Sequence, residues 1–223
     1  KFFNYENVKK LKNLKNKTNI ITAANAICHV PDLVSLIKGI DFLLKDDGLF
    51  IFEEPYLGSM YEKVSYDQIY DEHIFMFSAS SVKKVFDLFG FELINAIPQK
   101  THGGSMRYVV GRKGKFKTTI NLEKILKKEK KNNIDNIKGC LKFKKGCEVS
   151  KKKLIKKLKD YKKRKLKIAG YAATSKSTTI LNYCKIGTNY IDYISDTTKE
   201  KIGKYSPGTH IPIMSMEYFK KNL

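Results

Sequence analysis

From Tyr70 to His73 the chain places a phenol, two carboxylates and an imidazole in consecutive positions, then runs straight into Ile74-Phe75-Met76-Phe77. Titratable groups crowded against apolar ones gain a folded domain little, because each must be solvated or paired. Two readings fit: a solvated turn ahead of a buried strand, or a site that moves protons against an apolar wall. An imidazole that titrates near neutrality, with oxygen groups beside it, is the usual equipment for general acid–base work. Two further histidines keep similar company. His29 follows Asn25 and Cys28 after the apolar stretch Ile20–Ala24, and His102 opens His102-Gly103-Gly104-Ser105, where glycines let backbone come close to a ligand. Taken singly, a helix cap explains the first and a turn the second.

Elements must hold these groups in place. Ile20–Ala24 reads as a short buried strand, and Pro31-Asp32 opens an amphipathic helix through Leu33, Leu36, Ile37, Ile40, Leu43 and Leu44. Leu49–Glu54 is the next strand, closing on Glu53, Glu54 and Tyr56. Ser78–Ser81 cap a helix carrying Val82, Val85, Phe86 and Phe89, with Gly90 past its end. Phe91–Ile97 and Ser105–Gly111 predict two more strands, and residues 115–165 predict one or two lysine-rich helices with a weak break near Gly139 and Gly146. A second unit follows: strand 167–173, helix 175–183, strand 190–196, then a turn-rich stretch and a short terminal helix. Strand–helix alternation predicts an open α/β sheet, which gathers ligands at the carboxyl ends of its strands. The expected domains are residues 1–114 and 115–223.

The second unit carries its own candidates. Its Ala172-Ala173-Thr174-Ser175-Lys176-Ser177-Thr178 stretch joins a strand to a helix start, where backbone N–H groups and the helix dipole favour anions. Lys176 and the hydroxyls of Thr174, Ser175 and Ser177 suit a diphosphate; a capped helix with an incidental lysine is the plain alternative. The spacing is not that of a P-loop. Asp196, after the next strand, is placed to meet a ribose or a base.

Bulk composition narrows the field. The formal charge is +22, yet of 44 basic residues only Arg107, Arg112 and Arg164 are arginine, the side chain that reads phosphates and bases bidentately. Lysine is spread along the whole chain, so nucleic acid is not an expected partner. No apolar run approaches the roughly 18 residues of a membrane span, and the first residues lack the apolar region of a secretory signal. Cys28, Cys140, Cys147 and Cys184 show neither zinc-site nor disulfide spacing, which fits reduced thiols in a cytoplasm. The chain does not open on Met and reads as beginning inside a longer gene product.

The stretches Asn25–Leu57, Tyr66–Leu93, His102–Gly114 and Gly170–Tyr183, with Ser206–Ile213, resemble the sugar C-methyltransferases of deoxysugar pathways. Tyr-x-Glu-His-x(3)-Phe-Ser and Ser-Pro-Gly-Thr-His-Ile-Pro-Ile are the most specific blocks, and the resemblance runs in order from about Ile20 to the end. It implies S-adenosylmethionine as cofactor and a nucleotide-linked 4-keto sugar as substrate, methylated on a carbon beside the ketone. It further implies a partial Rossmann-like methyltransferase domain followed by a second, smaller Rossmann-like α/β domain that holds the nucleotide. His73 is implied as the base that removes the alpha proton, with Tyr70 and Glu72 orienting substrate or imidazole and His29 helping near the sugar. Asn25 is implied at the cofactor; His102, Gly103, Gly104, Thr174, Ser175, Lys176 and Asp196 are implied at the substrate. The family's zinc is expected only in an N-terminal module, which this sequence lacks together with the glycine-rich cofactor loop, so weak cofactor binding is expected. Two other classes remain open: a methyltransferase acting on oxygen or nitrogen, and a non-catalytic nucleotide-sugar-binding portion.

Overall fold

A computed structural model describes residues 2–222. They form two compact units, one drawn from the residues up to Ser65 and Asp71–Lys142, the other from Tyr66–Tyr70 and the residues from Phe143 on.

The first unit contains α1 (Tyr5–Val8), β1 (Thr18–Ala24), α2 (Leu33–Leu43), β2 (Leu44–Pro55), α3 (Leu57–Lys63), α4 (Ala79–Asp87), β3 (Phe91–Gln99), β4 (Ser105–Arg112) and α5 (Ile120–Lys131). Its sheet runs in the order β1-β2-β4-β3. Only β1 and β2 are parallel; β4 is antiparallel to both of its neighbours, so the sheet is mixed. Ala24 pairs with Glu53, Pro55 with Ser105, and Gln99 with Ser105. The carboxyl ends of β1, β2 and β3 and the start of β4 therefore share one edge, and the loops leaving it carry the residues of interest.

Local chemistry explains the elements. Asp32 caps α2 by accepting from Ser35 N–H, and Ser78 with Ser81 forms a reciprocal capping box at α4. The apolar stripe of each helix enters one core: Leu36, Ile37 and Ile40 from α2, Val82 and Phe86 from α4, against Phe50, Phe52, Leu93, Tyr108 and Val110. Phe52 lies 4.9 Å from the Tyr108 ring, centroid to centroid. Each such side chain contributes about 1.5–3 kcal/mol when fully buried.

The lysine-rich stretch behaves differently from its expectation. Leu122 and Ile125 of α5 belong to this core, so α5 is part of the first unit. The two compact units divide between Lys142 and Phe143, inside α6 (Ile137–Lys163). The helical break falls at residues 132–136, not at the glycines. Gly139 sits in the first turn of α6, where a Cβ would come 2.0 Å from the Asn133 carbonyl oxygen. Glycine there permits the close turn between helices.

In the second unit β5 (Ala169–Tyr171), β6 (Tyr193–Ser195) and β7 (Ile213–Met214) form a parallel sheet in that order, with α7 (Ser175–Cys184) and α8 (Met216–Lys221). Leu158, Leu181, Cys184, Ile186, Ile194 and Ile211 are buried in it.

Candidate functional site

At the shared sheet edge of the first unit, the turn out of β1 is built by β2. Asn25 adopts a left-handed conformation, φ 50°, and donates its N–H to the Glu53 carbonyl at 2.8 Å. Ala26 and Ile27 N–H then both donate to Glu54 Oε1, at 2.9 and 2.6 Å. Glu54 has no exposed surface, and its Oε2 makes no hydrogen bond. One buried carboxylate thus holds the loop that presents Cys28 and His29.

The segment after Tyr70 runs alongside that loop. Phe75 N–H donates to the Cys28 carbonyl at 3.2 Å, and Phe77 bridges to Tyr56. His29 Nδ1 lies 2.6 Å from the Glu72 backbone oxygen. A carbonyl can only accept, so Nδ1 carries the proton and, in the neutral ring, Nε2 carries the lone pair. The contact of Glu72 with an imidazole is thus made by its backbone, on His29. The rings of His29 and His73 stand 5.2 Å apart, tilted by 55°. Cys28 Sγ and one nitrogen of each histidine all lie within 4.8 Å of one another. Burial, and then the neighbouring Glu54 carboxylate, push the Cys28 thiol well above its ordinary pKa, so it stays protonated.

The His102 turn meets the same edge. Glu53 accepts from the Thr101 hydroxyl at 2.8 Å and from Arg107 at 3.0 Å, pinning the turn to β2. Lys63 donates to the Gly103 carbonyl, and Tyr56 N–H to that of Gly104 at 3.1 Å. Gly104 has φ 131°, and a Cβ there would lie 2.5 Å from Ser59, so no larger residue fits unstrained. Tyr70 belongs to Tyr66–Tyr70, grouped with the second unit. There Tyr66 Oη lies 3.5 Å from Cys184 Sγ, and Thr179 Oγ1 donates to the Ile69 carbonyl at 3.2 Å.

Sequence reasoning missed Glu129. It is buried on α5 and accepts from Tyr56 Oη at 2.9 Å, Ala79 N–H at 2.7 Å and Ser80 N–H at 2.9 Å. A carboxylate in line with Leu122 and Ile125 on the apolar stripe of a lysine-rich helix was the available signal. The Tyr56 phenol is accordingly raised by burial and by Glu129, and serves packing.

In the second unit Thr174 and Ser177 form a capping box: Ser177 N–H donates to Thr174 Oγ1 at 3.2 Å, and Thr174 N–H to Ser177 Oγ at 2.9 Å. Ser175 is exposed and Lys176 half-buried at the same helix start. Asp196 accepts from Thr198 N–H at 2.8 Å and Ala173 N–H at 2.7 Å, with Lys201 3.7 Å away. It ties the strand-to-helix turn together. The Thr198 N–H, with the Ala173 N–H and Lys201, depresses its carboxyl to about 2. A depressed carboxylate stabilises the fold above its unfolded pKa and loses that contribution as pH falls through the folded value. The second unit should therefore weaken between about pH 4 and about pH 2, with Asp196→Asn showing a flatter profile in acid titrations followed by circular dichroism.

The chain is an α/β protein, and residues 2–96 match the sequence profile of a methyltransferase domain. The chain belongs to the family described as the C-methyltransferase C-terminal domain, whose profile matches residues 100–222. It is 28% identical over 199 residues to the C-methyltransferase NovU of Streptomyces niveus, covering 89% of this chain and 47% of that protein. The chain thus spans about half the length of the curated relative it matches. Among the described residues no helix is long and apolar enough to cross a membrane.

Proposed function

We propose that the protein is a cytoplasmic C-methyltransferase that moves a methyl group from S-adenosylmethionine to a carbon beside the ketone of a nucleotide-linked 4-keto deoxysugar. In this reading the first unit is the C-terminal part of a Rossmann-like methyltransferase domain and the second a smaller Rossmann-like domain for the nucleotide. The family membership and the NovU likeness support carbon as the acceptor. The observation that carries the chemistry is the pair His29–His73, with His29 oriented by the Glu72 carbonyl.

S-adenosylmethionine, when bound, supplies an electrophilic methyl group. The residues present do not enclose it: the apolar cleft beside β1, lined by Ile21, Ala23, Ala26 and Ile27 among others, measures about 180 Å³, whereas ligand pockets start at roughly 300 Å³. Asn25, which precedes the cleft-lining Ala26 in the chain, is the remaining cofactor candidate. Forming a carbon–carbon bond to a sulfonium methyl requires a carbanion equivalent. His73 is the base that takes the proton alpha to the ketone, and the electron pair left behind delocalises onto the carbonyl oxygen as an enolate. His29, protonated at Nε2, donates to that oxygen while Nδ1–H stays on the Glu72 carbonyl. A donor aimed at the developing charge lowers the barrier by several kcal/mol in about the way an oxyanion hole does. Phe75 and Phe77 keep water from the wall behind His73. His102, Gly103 and Gly104 contribute backbone to the sugar side of the same edge, and Glu72 acts there through the His29 imidazole.

The function is tested by solvent deuterium exchange into a 4-keto sugar nucleotide, with S-adenosylhomocysteine in place of the methyl donor. Exchange at the carbon beside the ketone is expected; an oxygen or nitrogen methyltransferase has no need of it, and its absence would sink the proposal. In the second unit Thr174, Ser175, Lys176 and Asp196 are assigned to the nucleotide diphosphate and ribose, Thr174 and Asp196 by shaping the turn. Lys176→Ala should then weaken sugar-nucleotide binding by about tenfold to a hundredfold, the worth of a charged contact, with cofactor affinity unchanged. Calorimetric affinities within twofold of each other would leave Lys176 a surface residue.

A further inference from the structure

We propose that Cys28, His29 and His73 form a binding site for a borderline-soft divalent cation, with Zn²⁺ as the fitting ion. One sulfur and two imidazole nitrogens within 4.8 Å of each other are a donor set of the right type and span. Zinc takes three such protein ligands and keeps a fourth position for solvent or substrate, while hard cations such as Mg²⁺ reject sulfur. Two independent features prepare the cluster. His29 is held by its Nδ1–H on the Glu72 carbonyl, the outer-shell hydrogen bond that metal-binding histidines characteristically make, which points basicity to Nε2. Glu54 stands behind Cys28 as a wholly buried carboxylate with Oε2 unbonded, and no lysine or arginine pairs with it among the described residues. A cation held by Cys28 would sit beside that carboxylate oxygen.

Binding exchanges the Cys28 S–H bond for a sulfur–metal bond, and the proton leaves to solvent; nothing is oxidised or reduced. Metal on His73 occupies the nitrogen lone pair that would accept the substrate proton. Zinc is thus an inhibitor of proton abstraction, a consequence that, unlike the site itself, rests on the proposed function.

Co²⁺ serves as the spectroscopic probe, because a cobalt–thiolate bond adds a charge-transfer absorption. Titrated into the chain carrying Cys140→Ser, which removes the exposed thiol, Co²⁺ should give one saturating band, abolished by added Cys28→Ser and weakened by His29→Gln. Far-ultraviolet circular dichroism confirms that each variant is folded, and His29→Gln keeps the test decisive should the buried serine unfold the unit. No band, or a band unchanged in both variants, overturns the site. In the deuterium-exchange assay, equimolar Zn²⁺ should slow exchange by about 10²-fold or more, the share of a general base, relative to chelated controls. Metal binding with exchange unaffected overturns the inhibition. Exchange missing even with chelator would sink the proposed function while the cobalt band still upholds the site.

Discussion

His73→Asn should abolish deuterium exchange into the sugar while leaving both ligands bound. Asparagine keeps the approximate shape and some hydrogen bonding but cannot accept the proton. Loss of a general base lowers rates by about 10²–10⁴-fold, and a contact that matters mainly in the transition state leaves ground-state affinity nearly untouched. The measurement is the exchange rate of the intact protein with S-adenosylhomocysteine, alongside calorimetric affinities for the sugar nucleotide. Exchange at the normal rate would remove His73 as the base and pass the role to His29.

Glu129→Ala should destabilise the first unit strongly. It removes the acceptor shared by Tyr56 Oη and the N–H groups of Ala79 and Ser80, and takes a negative charge from the start of α4. Unsatisfied buried donors cost about 1–3 kcal/mol each, so a loss near 3 kcal/mol is expected. For a chain of this size that lowers the melting temperature by roughly 6–12 °C. Glu129→Gln retains one acceptor oxygen and should lose about half as much. Because α4 follows directly on the His73 segment, the alanine variant should also exchange more slowly. Melting temperatures within a degree or two of wild type would show that Tyr56 and the helix start find water instead.

What could be read in advance follows a physical line. Elements with a clean apolar period, such as α2 and α4, and caps with a side-chain signature, such as Asp32 and Ser78, lie where the residues indicate. Short or uncapped elements do not announce themselves: α3 starts at Tyr56 without a side-chain cap and contains Gly58, and β7 has two residues. Lysine density hid the burial of α5, because Lys124, Lys127 and Lys128 face solvent while Leu122 and Ile125 do not. In the candidate site, His29 and His73 were legible as residue types at strand ends. Their meeting was not, since it depends on Glu54 and on a backbone carbonyl of Glu72, and backbone contacts leave no trace in residue identity. Asp196 was legible as a polar residue at a strand end, yet its oxygens are taken up by N–H groups of its own turn.

The assignment of Tyr66–Tyr70 to the second unit makes that unit discontinuous along the chain. Modular inheritance by a single crossover between Lys142 and Phe143 would transmit the later residues without the five-residue piece that sets Tyr66 against Cys184 and Tyr183. A recipient would inherit a vacant aromatic slot unless its own chain already carried a matching tyrosine. The two halves of this protein are therefore expected to travel together through gene rearrangement, and grafts of the later half alone to succeed only with Tyr66–Tyr70 supplied as a separate peptide or spliced to its end.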